Sequence, residues 1–460
     1  MTAVGIVAEY NPFHNGHLFH IEQTRARFPD CAVVCVMSGH FVQRGGVAVT
    51  HKNARAAVAV QCGADLVLEL PAAFSCAPAE IFADRAVALL AATGVVGALS
   101  FGSECGDIEL LTRAADDASF DRDRFEALLR AGRSYAAARA GAMAEGLRSA
   151  AEAPNDLLAV EYLRAVRRYL PEAALCAVRR QGAGHDRQEL SGAFPSASRL
   201  RAMLRNGEAV GGFVPRPCAE MLERERAAGR GPVLEEALDL PVLAALRRME
   251  PAAIAALPEV AEGLEYRIAA EAPKASSAKE LLDRLKTKRY TRARLRRILT
   301  SAYIGLTRAE QALTPQYLRL LAVSQRGTRL LKEMRGRASL PVITKPAALK
   351  TLGAPAEALY ALEARADSLY ALAYPAPESE RASEGRLRLL ACFRYRRMST
   401  KPDGETRRRR AAISITAEKH GRPRRMGAGE TKREKIMPAF RRSLRGLRDG
   451  REENKGRFCA

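Results

Sequence analysis

Residues 3–17 read AVGIVAEYNPFHNGH, a strand pattern followed at once by a turn and a helix start. The apolar run over 3–10 is typical of a buried strand. Pro12 and Gly16 punctuate the turn that follows, and His14 and His17, three residues apart, share one face of the helix that begins there. A strand that leads directly into a helix predicts the opening unit of a parallel α/β sheet.

The two histidines of this turn predict a phosphate site. Backbone N–H groups and the helix dipole already favour an anion at a helix N-terminus, and imidazoles placed there add donors. Gly16 lets a nucleotide approach the backbone, because no Cβ stands in the way.

After this first unit, four more strand patterns alternate with helical ones and predict an α/β, Rossmann-like domain over residues 1–205. The five candidate strands cover 3–10, 31–39, 64–71, 97–104 and 174–182. Ligands of such sheets bind beyond the carboxyl ends of the strands. We therefore expect Glu9, Ser38, Glu69 and Ser103 to line one crevice.

The rest of the chain is helical and then strongly basic. Residues 206–395 show Leu, Ala and charged residues at helical spacing and no strand series, which predicts a separate all-helical domain. Residues 401–460 hold 19 Lys and Arg against 8 Asp and Glu, half of the net charge of +22, and few large apolar groups. Such a composition predicts a basic, disordered tail over 396–460. The overall charge implies a polyanionic partner.

Several classes of protein are disfavoured by composition. The chain opens without a secretory leader pattern and no apolar run is long enough to span a membrane, so we expect a soluble, cytoplasmic protein. The nine cysteines, an odd number, do not form a disulfide framework. Cys31 and Cys35 lie in a strand pattern and are expected to be buried thiols, and no metal-binding pattern is present.

The motif His14-Asn15-Gly16-His17 resembles the signature of the HxGH nucleotidyltransferase superfamily. The resemblance narrows to the bacterial tRNA(Met) cytidine acetate ligase family over about residues 1–395. It is carried by residues 4–17 and by further motifs at 37–45, 63–65, 69–71, 101–104, Pro154-Asn155, 180–184 and 288–297.

That resemblance implies an ATP-dependent ligase. Acetate would be activated as acetyl-adenylate with release of pyrophosphate, and N4 of the wobble cytidine of elongator tRNA(Met) would then be acetylated. ATP, with Mg²⁺, is the implied cofactor, while tRNA and acetate are the implied partners. His14 and His17 would be catalytic. The implied ATP site comprises Val7, Ala8, Glu9, Tyr10, Asn11, Pro12, Phe13, His14, Asn15, Gly16, His17, Leu18, Phe19, His20, Gly102, Asn155 and Arg180.

A second phosphate motif of the superfamily is matched by residues 196–201. Ser198 stands where Thr is common and keeps the hydroxyl, so Ser198 and Arg201 are candidate phosphate ligands. Asp156 departs from the family pattern, which often has a second Asn there. Whether Asn155 or Asp156 contacts the nucleotide is left open by the sequence. His185 departs too, since Tyr commonly follows Gly-Ala-Gly.

Candidates of a second rank surround the first motif. Arg44 lies in a Gly-rich loop, where it would clamp phosphate or tRNA or else be solvated, and Lys52 would offset phosphate charge. Ser38 and Gln43 join them. Asp65 and Glu69 are expected to be structural or magnesium-related, because acetate at neutral pH is already a nucleophile and needs no general base.

Residues 284–297 read RLKTKRYTRARLRR, with eight basic residues and no acid. An unbroken basic face suits phosphate binding, which predicts tRNA contacts from Lys288, Arg289, Arg294, Arg296 and Arg297, with Tyr290 stacking on a base. The alternative is a solvated helix balanced by acidic residues elsewhere in the chain.

Two other functions remain open from the residues alone. A small-molecule adenylyltransferase would use the same motif, although the large basic helical half would then lack a purpose. A non-catalytic RNA-binding protein on the same fold would not require both histidines and Gly16.

Overall fold

The computed structural model describes residues 3–377, except for 117–118, 134, 145, 148–152, 181–194, 345–348 and 350. These residues belong to one compact unit, Met1–Arg397. The predicted boundary between residues 205 and 206 lies inside that unit. The predicted basic tail, His185 and the motif after Arg180 fall outside the described residues.

A sheet of seven strands in the order β5-β4-β1-β2-β3-β6-β7 forms the centre of the molecule. The strands span Ala3–Ala8 (β1), Ala32–Ser38 (β2), Leu66–Leu70 (β3), Val96–Ser103 (β4), Ala174–Arg179 (β5), Leu318–Val323 (β6) and Val342–Ile343 (β7). The first five are parallel, whereas β6 pairs antiparallel with β3. The predicted α/β class with a parallel sheet is confirmed, and all five predicted strands are present.

The helices up to residue 205 are the crossovers and covers of this sheet. They span Asn15–Arg27 (α1), Lys52–Gln61 (α2), Ala72–Ser75 (α3), Ala79–Ala92 (α4), Ile108–Ala114 (α5), Arg122–Arg130 (α6), Tyr135–Ala142 (α7), Pro154–Tyr169 (α8) and Ala197–Arg205 (α9).

The later part of the chain is mainly helical. Its helices span Arg216–Ala227 (α10), Asp239–Arg247 (α11), Pro251–Ala255 (α12), Leu264–Glu271 (α13), Ala278–Leu285 (α14), Arg292–Ile304 (α15), Arg308–Ala312 (α16), Gln325–Met334 (α17) and Ala354–Ala371 (α18), with 3-10 turns at Glu235–Leu238 and Ala272–Lys274.

The expectation of an all-helical segment over 206–395 is wrong in one respect, because β6 and β7 lie inside it. Residues 318–323 read LRLLAV, a short apolar run whose leucines fit helical spacing as well as a strand. Pairing with β3 decides the matter, since it completes the backbone hydrogen bonds on that side of the sheet.

Burial on both faces explains the apolar strands. Alternate residues of β2 enter different cores: Val34 and Val36 pack on one side, while Cys35 and Met37 pack on the other. Cys31 and Cys35 are buried free thiols, as predicted. None of the described helices combines the length and apolarity that crossing a membrane requires.

The strand order places the candidate site. The chain runs from β1 to β2 on one side and later returns to β4 on the other, so a crevice opens between β1 and β4 at their carboxyl ends. The N-terminus of α1 lies at that opening.

Candidate functional site

The turn between β1 and α1 is fastened to the loop before α2. Asn11 is buried, donates its amide to the carbonyl of Val47 at 3.2 Å and accepts from the N–H of Val49 at 2.8 Å. Tyr10 adopts a positive φ of 49° and packs on the rings of Phe13 and His17. Asn11 therefore positions the turn with its side chain.

His14 and His17 cap α1 reciprocally. Nδ1 of His14 accepts from the N–H of Gly16 at 3.1 Å, and Nδ1 of His17 accepts from the N–H of His14 at 3.2 Å. The two rings stack with centroids 3.7 Å apart. Since both Nδ1 atoms accept, each neutral ring must carry its proton on Nε2.

Gly16 is needed for this cap. A Cβ at position 16 would lie 2.9 Å from Cε1 of His14, closer than van der Waals contact allows. The missing side chain thus makes room for the imidazole, in addition to any room it leaves for a nucleotide.

Burial and nearby cations keep both rings neutral. The pKa of His14 is lowered to about 3, first by burial and then by the charges of Arg180 and Arg201. The pKa of His17 is lowered well below its ordinary value, mainly by burial and by His14. At neutral pH the pair therefore offers two Nε2–H donors without positive charge.

His20, one turn further along α1, is tied to the sheet. Its Nε2 lies 2.9 Å from Oγ of Ser100, which in turn lies 2.7 Å from Oγ1 of Thr24. Burial lowers its pKa to about 4. These bonds fix α1 against β4.

Two arginines flank the histidines. Arg180 follows β5, is exposed, and its backbone N–H donates to the carbonyl of Ser103 at 2.9 Å. Arg201 of α9 donates to the carbonyl of Asn11 at 2.9 Å and to Oγ of Ser198 at 3.1 Å. The structure thus brings the first motif, Arg180 and the later Ser/Arg motif to one end of the sheet.

Asp156 and Asn155 both bind groups of the loop that follows β4. The buried Asp156 carboxylate accepts from Oγ of Ser103 at 2.5 Å and from the N–H groups of Glu104 and Cys105 at 2.8 and 3.1 Å. It therefore holds the loop after β4. The Asn155 amide donates to the Glu104 carboxylate.

Gly102 lies beside this loop, next to Arg180. Among the described residues, the atom nearest to a Cβ placed at position 102 is Cγ of Arg180, at 3.8 Å. No described residue therefore crowds that position.

The expectation that four residues line one crevice is wrong for three of them. Ser38, Glu69 and Ser103 are buried. Only Glu9 is partly exposed at the turn, where its carboxylate accepts from the N–H of Gln43 at 3.0 Å. The parallel strands do end together, but Glu69 is bound by Lys52 and Arg319 and Ser103 is bound by Asp156.

Lys52 is not a phosphate partner. Its ammonium is buried and lies 2.6 Å from Glu69, 3.2 Å from Glu363 and 2.5 Å from Asp367. Arg319 lies 3.1 Å from Glu69 as well. These three carboxylates are close enough together to suggest a metal site, but Lys52 occupies the position that a cation would take.

Sequence reasoning missed the distant members of this buried charge cluster, which we define as Lys52, Glu69, Arg319, Glu363 and Asp367. Glu363 and Asp367 lie on α18, some three hundred residues after Lys52. No local pattern links residues so far apart. Their four-residue spacing on one helix face was the only available signal.

Arg55 was missed for the same reason. It is fully buried and donates to the carbonyls of Glu9, Ser38, Gly39 and Thr50. Asp65, by contrast, is structural, which is one of the two roles predicted for it. Its carboxylate accepts from Arg25 at 2.7 Å and from Ser324 at 2.8 Å.

The predicted tRNA-binding residues are largely engaged within the protein. Arg289 pairs with Glu262, and Arg296 pairs with Glu235. Arg294 donates to the carbonyl of Glu259 at 2.6 Å. Lys288 forms no hydrogen bond or ion pair with any described residue.

Arg297 and Tyr290 are poorly placed for tRNA. Arg297 is buried and binds the Glu259 carboxylate through Nε and Nη2 at 2.5 and 2.6 Å. Tyr290 is buried with the Arg294 guanidinium over its ring, so it does not present a face to a base. The sequence could not reveal the acidic partners, because they come from residue 235 and from residues 259–262.

Helix α15 also touches the loop beside the turn between β1 and α1. Oγ1 of Thr300 donates to the carbonyl of Gly45 at 2.8 Å. A Cβ at Gly45 would lie 2.5 Å from the carbonyl carbon of Arg296. Helix α15 is therefore in contact with the loop that contains Gln43, whose N–H binds Glu9.

Comparison with known proteins gives a consistent answer. The family model described as HIGH nucleotidyl transferase matches residues 1–385. The tRNA(Met) cytidine acetate ligase of Acetivibrio thermocellus is 34% identical over 366 residues, covering 75% of this chain and 88% of the relative. That of Caldicellulosiruptor bescii is 37% identical over 355 residues, covering 75% and 87%.

A solved structure resembles most of this chain. Thermotoga maritima TmcAL bound with alpha-thio ATP superposes with a TM-score of 0.76 at 32% identity, covering 83% of this chain and 96% of that one. Its apo form gives a TM-score of 0.77.

Proposed function

Because this chain belongs to the tRNA(Met) cytidine acetate ligases of the HIGH nucleotidyl transferase family, we propose that it is an ATP-dependent ligase acting on tRNA(Met). It activates acetate as acetyl-adenylate, releases pyrophosphate, and transfers the acetyl group to N4 of the wobble cytidine of elongator tRNA(Met). The observation that carries the proposal is the pair of neutral, Nε2-protonated histidines at the start of α1.

In the first step, an acetate oxygen attacks the α-phosphorus of ATP and the bond to pyrophosphate breaks. Negative charge builds up on the phosphoryl oxygens as this happens. Nε2–H donors of His14 and His17, held by backbone bonds, stabilise that charge without having to reorganise. Arg180 and Arg201 supply positive charge on either side, and Ser198 is a further phosphate ligand.

In the second step, the N4 amine of cytidine attacks the acetyl carbon, AMP leaves, and the amine loses a proton. The nucleotide lies along Val7–His20 and beside Gly102 and Asn155. Mg²⁺ would arrive on the ATP phosphates, because Asp65, Glu69 and Asp156 are already bound by protein groups.

The same proposal divides the chain by task. Residues 1–205 bind ATP and carry the chemistry, residues 206–395 bind tRNA, and the basic residues 396–460 add non-specific attraction. Lys288, Arg289, Arg294 and Arg296 reach the tRNA, whereas Arg297 acts by holding α15 to Glu259.

The test is incubation of the purified protein with tRNA(Met), ATP, Mg²⁺ and isotope-labelled acetate, followed by mass spectrometry of the tRNA nucleosides. We expect labelled N4-acetylcytidine and one pyrophosphate released per acetyl group. Pyrophosphate release that requires a phosphorylated small molecule and ignores acetate would indicate a small-molecule adenylyltransferase. Binding of tRNA without consumption of ATP would indicate a non-catalytic protein.

A further inference from the structure

An ion pair between Arg296 and Glu235 covers the glycine loop next to the ATP-site turn. The pair is partly open to solvent, with side chains 30% and 43% exposed. A Cβ at Gly46 would lie 3.1 Å from the Glu235 carboxylate and 3.2 Å from Nη2 of Arg296. The pair therefore sits directly on the backbone of this loop.

We propose that Glu235 holds Arg296 in place of a tRNA backbone phosphate, and that tRNA binding exchanges the carboxylate for that phosphate. This inference rests on the proposed function. It adds Glu235 as a residue that opposes tRNA docking and makes the loop over 42–46 the point where the tRNA backbone meets the ATP site.

The surroundings of Arg296 fit an anion. Arg44 lies in the same turn, which is closed by bonds from Gly45 N–H to the Val42 carbonyl at 2.9 Å and from Val42 N–H to the Gly46 carbonyl at 3.0 Å. Arg44 is exposed and forms no ion pair with any residue that the structure describes. A phosphate on Arg296 would thus gain a second cation close by.

The position also lies within electrostatic reach of the ATP site. Burial is the main cause of the lowered pKa of Arg201, and the charges of Glu9, Glu235, Arg296 and Arg44 act on it as well. Gln43 connects the loop to Glu9 through a backbone hydrogen bond of 3.0 Å. A tRNA phosphate bound here would hold its neighbouring nucleotide at the edge of the site where acetyl-adenylate forms.

The exchange is energetically easy for Arg296 and difficult for its neighbours. A partly exposed ion pair contributes little, and a phosphate forms the same bidentate contact as a carboxylate. Arg297 is buried against Glu259, and Arg294 is bonded to a backbone carbonyl, which a phosphate does not replace. Of the three arginines of α15 nearest the loop over 42–46, Arg296 is therefore the one that changes partner.

The experiment measures binding of a tRNA(Met) transcript, without ATP, over a series of salt concentrations. In the wild type, the tRNA phosphate loses a counterion when it binds Arg296, but the displaced Glu235 carboxylate takes up a cation from solution, so the net release is close to zero. In Glu235→Gln no carboxylate is displaced, and the contact releases one counterion. We expect binding about two- to fivefold tighter at low salt, with the salt dependence steeper by about 0.7–0.9.

A matched control lies one helical turn away. Asp283 pairs with Arg292, whose side chains are 47% and 52% exposed, and Asp283→Asn removes the same charge. We expect it to change affinity and slope by less than half as much as Glu235→Gln. The double variant Glu235→Gln/Arg296→Ala should lose the gain.

Three outcomes would overturn the inference. Equal effects of Glu235→Gln and Asp283→Asn would mean that only net charge matters, and a gain that persists without Arg296 would remove the exchange. A lower KM for ATP in acetate-dependent pyrophosphate exchange of Glu235→Gln, with unchanged tRNA binding, would assign the phosphate to ATP. Wild-type protein that binds tRNA but fails to exchange pyrophosphate would contradict the proposed function. The binding measurements on the variants would still test the exchange at Arg296.

Discussion

At the scale of single residues, the hydrogen bonds to Nδ1 decide what His14 and His17 can do. An imidazole that accepts from a backbone N–H presents its other nitrogen as a donor, and the lowered pKa values keep the rings uncharged. In the proposed reaction the pair would therefore stabilise charge by hydrogen bonding to the phosphoryl oxygens, and the two arginines would supply the positive charge.

The position of the donor nitrogen can be tested by two substitutions of His17. The amide of Gln reaches the position of Nε2, whereas that of Asn reaches only the position of Nδ1. We expect His17→Gln to keep more acetate-dependent pyrophosphate exchange than His17→Asn, and His14→Ala or His17→Ala to lose about a hundredfold or more. Circular dichroism establishes that each variant is folded. Equal rates for Gln and Asn would refute the assigned proton position.

The pH dependence of exchange follows from the same neutrality. The pKa of His14 lies near 3 in the folded protein, so this ring stays uncharged from pH 8 down to about 5. We expect the exchange rate to show no transition near pH 6.5 from this pair. A rate that changes tenfold across that pH, and no longer does so in the His14→Ala variant, would show that the ring is charged during the reaction.

At the scale of elements, the contact between α15 and the loop over 42–46 joins the proposed tRNA-binding part to the ATP site. Gly45 has a φ of +72° and lies against the backbone of Arg296 and Arg297. Gly207 has the same φ of +72°, and no atom of the described residues lies within 4 Å of the position that its Cβ would take. A comparison of substitutions at the two glycines therefore separates the cost of backbone strain from the cost of a steric clash.

We expect Gly45→Ala to lower the free energy of unfolding by more than Gly207→Ala. The control bears only the cost of a positive φ, about 1 kcal/mol, whereas Gly45→Ala must also push α15 away from the loop. Urea unfolding of both variants gives the comparison, and acetate-dependent exchange reports whether the displaced loop disturbs Glu9. Equal losses of stability would show that α15 can move away from the loop without cost.

Local sequence predicted the elements that are determined locally. The five parallel strands and the histidine turn carry their own signals, namely apolar runs that end in Gly, Pro or polar residues. Strand β6 was missed, because its six residues become a strand only by pairing with β3. The sequence also could not show which basic residues of 288–297 are free to bind tRNA. Their acidic partners Glu235, Glu259 and Glu262 are distant from them in the chain.

At the scale of the whole molecule, the buried charge cluster fastens α18 to the sheet. Glu363 accepts from the N–H of Ala72 at 2.7 Å, and Asp367 lies 2.8 Å from Nδ1 of His40. The parallel sheet could be predicted from residues 1–205, but this junction with α18 could not, because it depends on which distant charges meet when the chain folds.

The charges of this cluster balance only while Glu363 holds a proton, and this makes stability depend on pH. Lys52 and Arg319 offset Glu69 and Asp367, while burial, and then the Glu69 carboxylate, raise the pKa of Glu363 to about 8. A carboxyl group whose pKa is higher in the folded than in the unfolded state stabilises the fold fully below the unfolded value, near 4.3, and loses that contribution as pH rises through 8.

Between pH 7 and 8 we expect this group to lower the unfolding free energy of the wild type by about 1 kcal/mol. Buried histidines with lowered pKa values and buried thiols with raised pKa values also change stability over this interval, in opposite directions, and both sets are the same in the Glu363→Gln variant. Glu363→Gln stays neutral and keeps an N–H donor for Glu69, so its unfolding free energy should fall by about 1 kcal/mol less than that of the wild type over this interval, whatever its absolute value. Urea titrations at the two pH values measure both slopes, and a decline in the Gln variant as large as that of the wild type would place the responsible proton elsewhere.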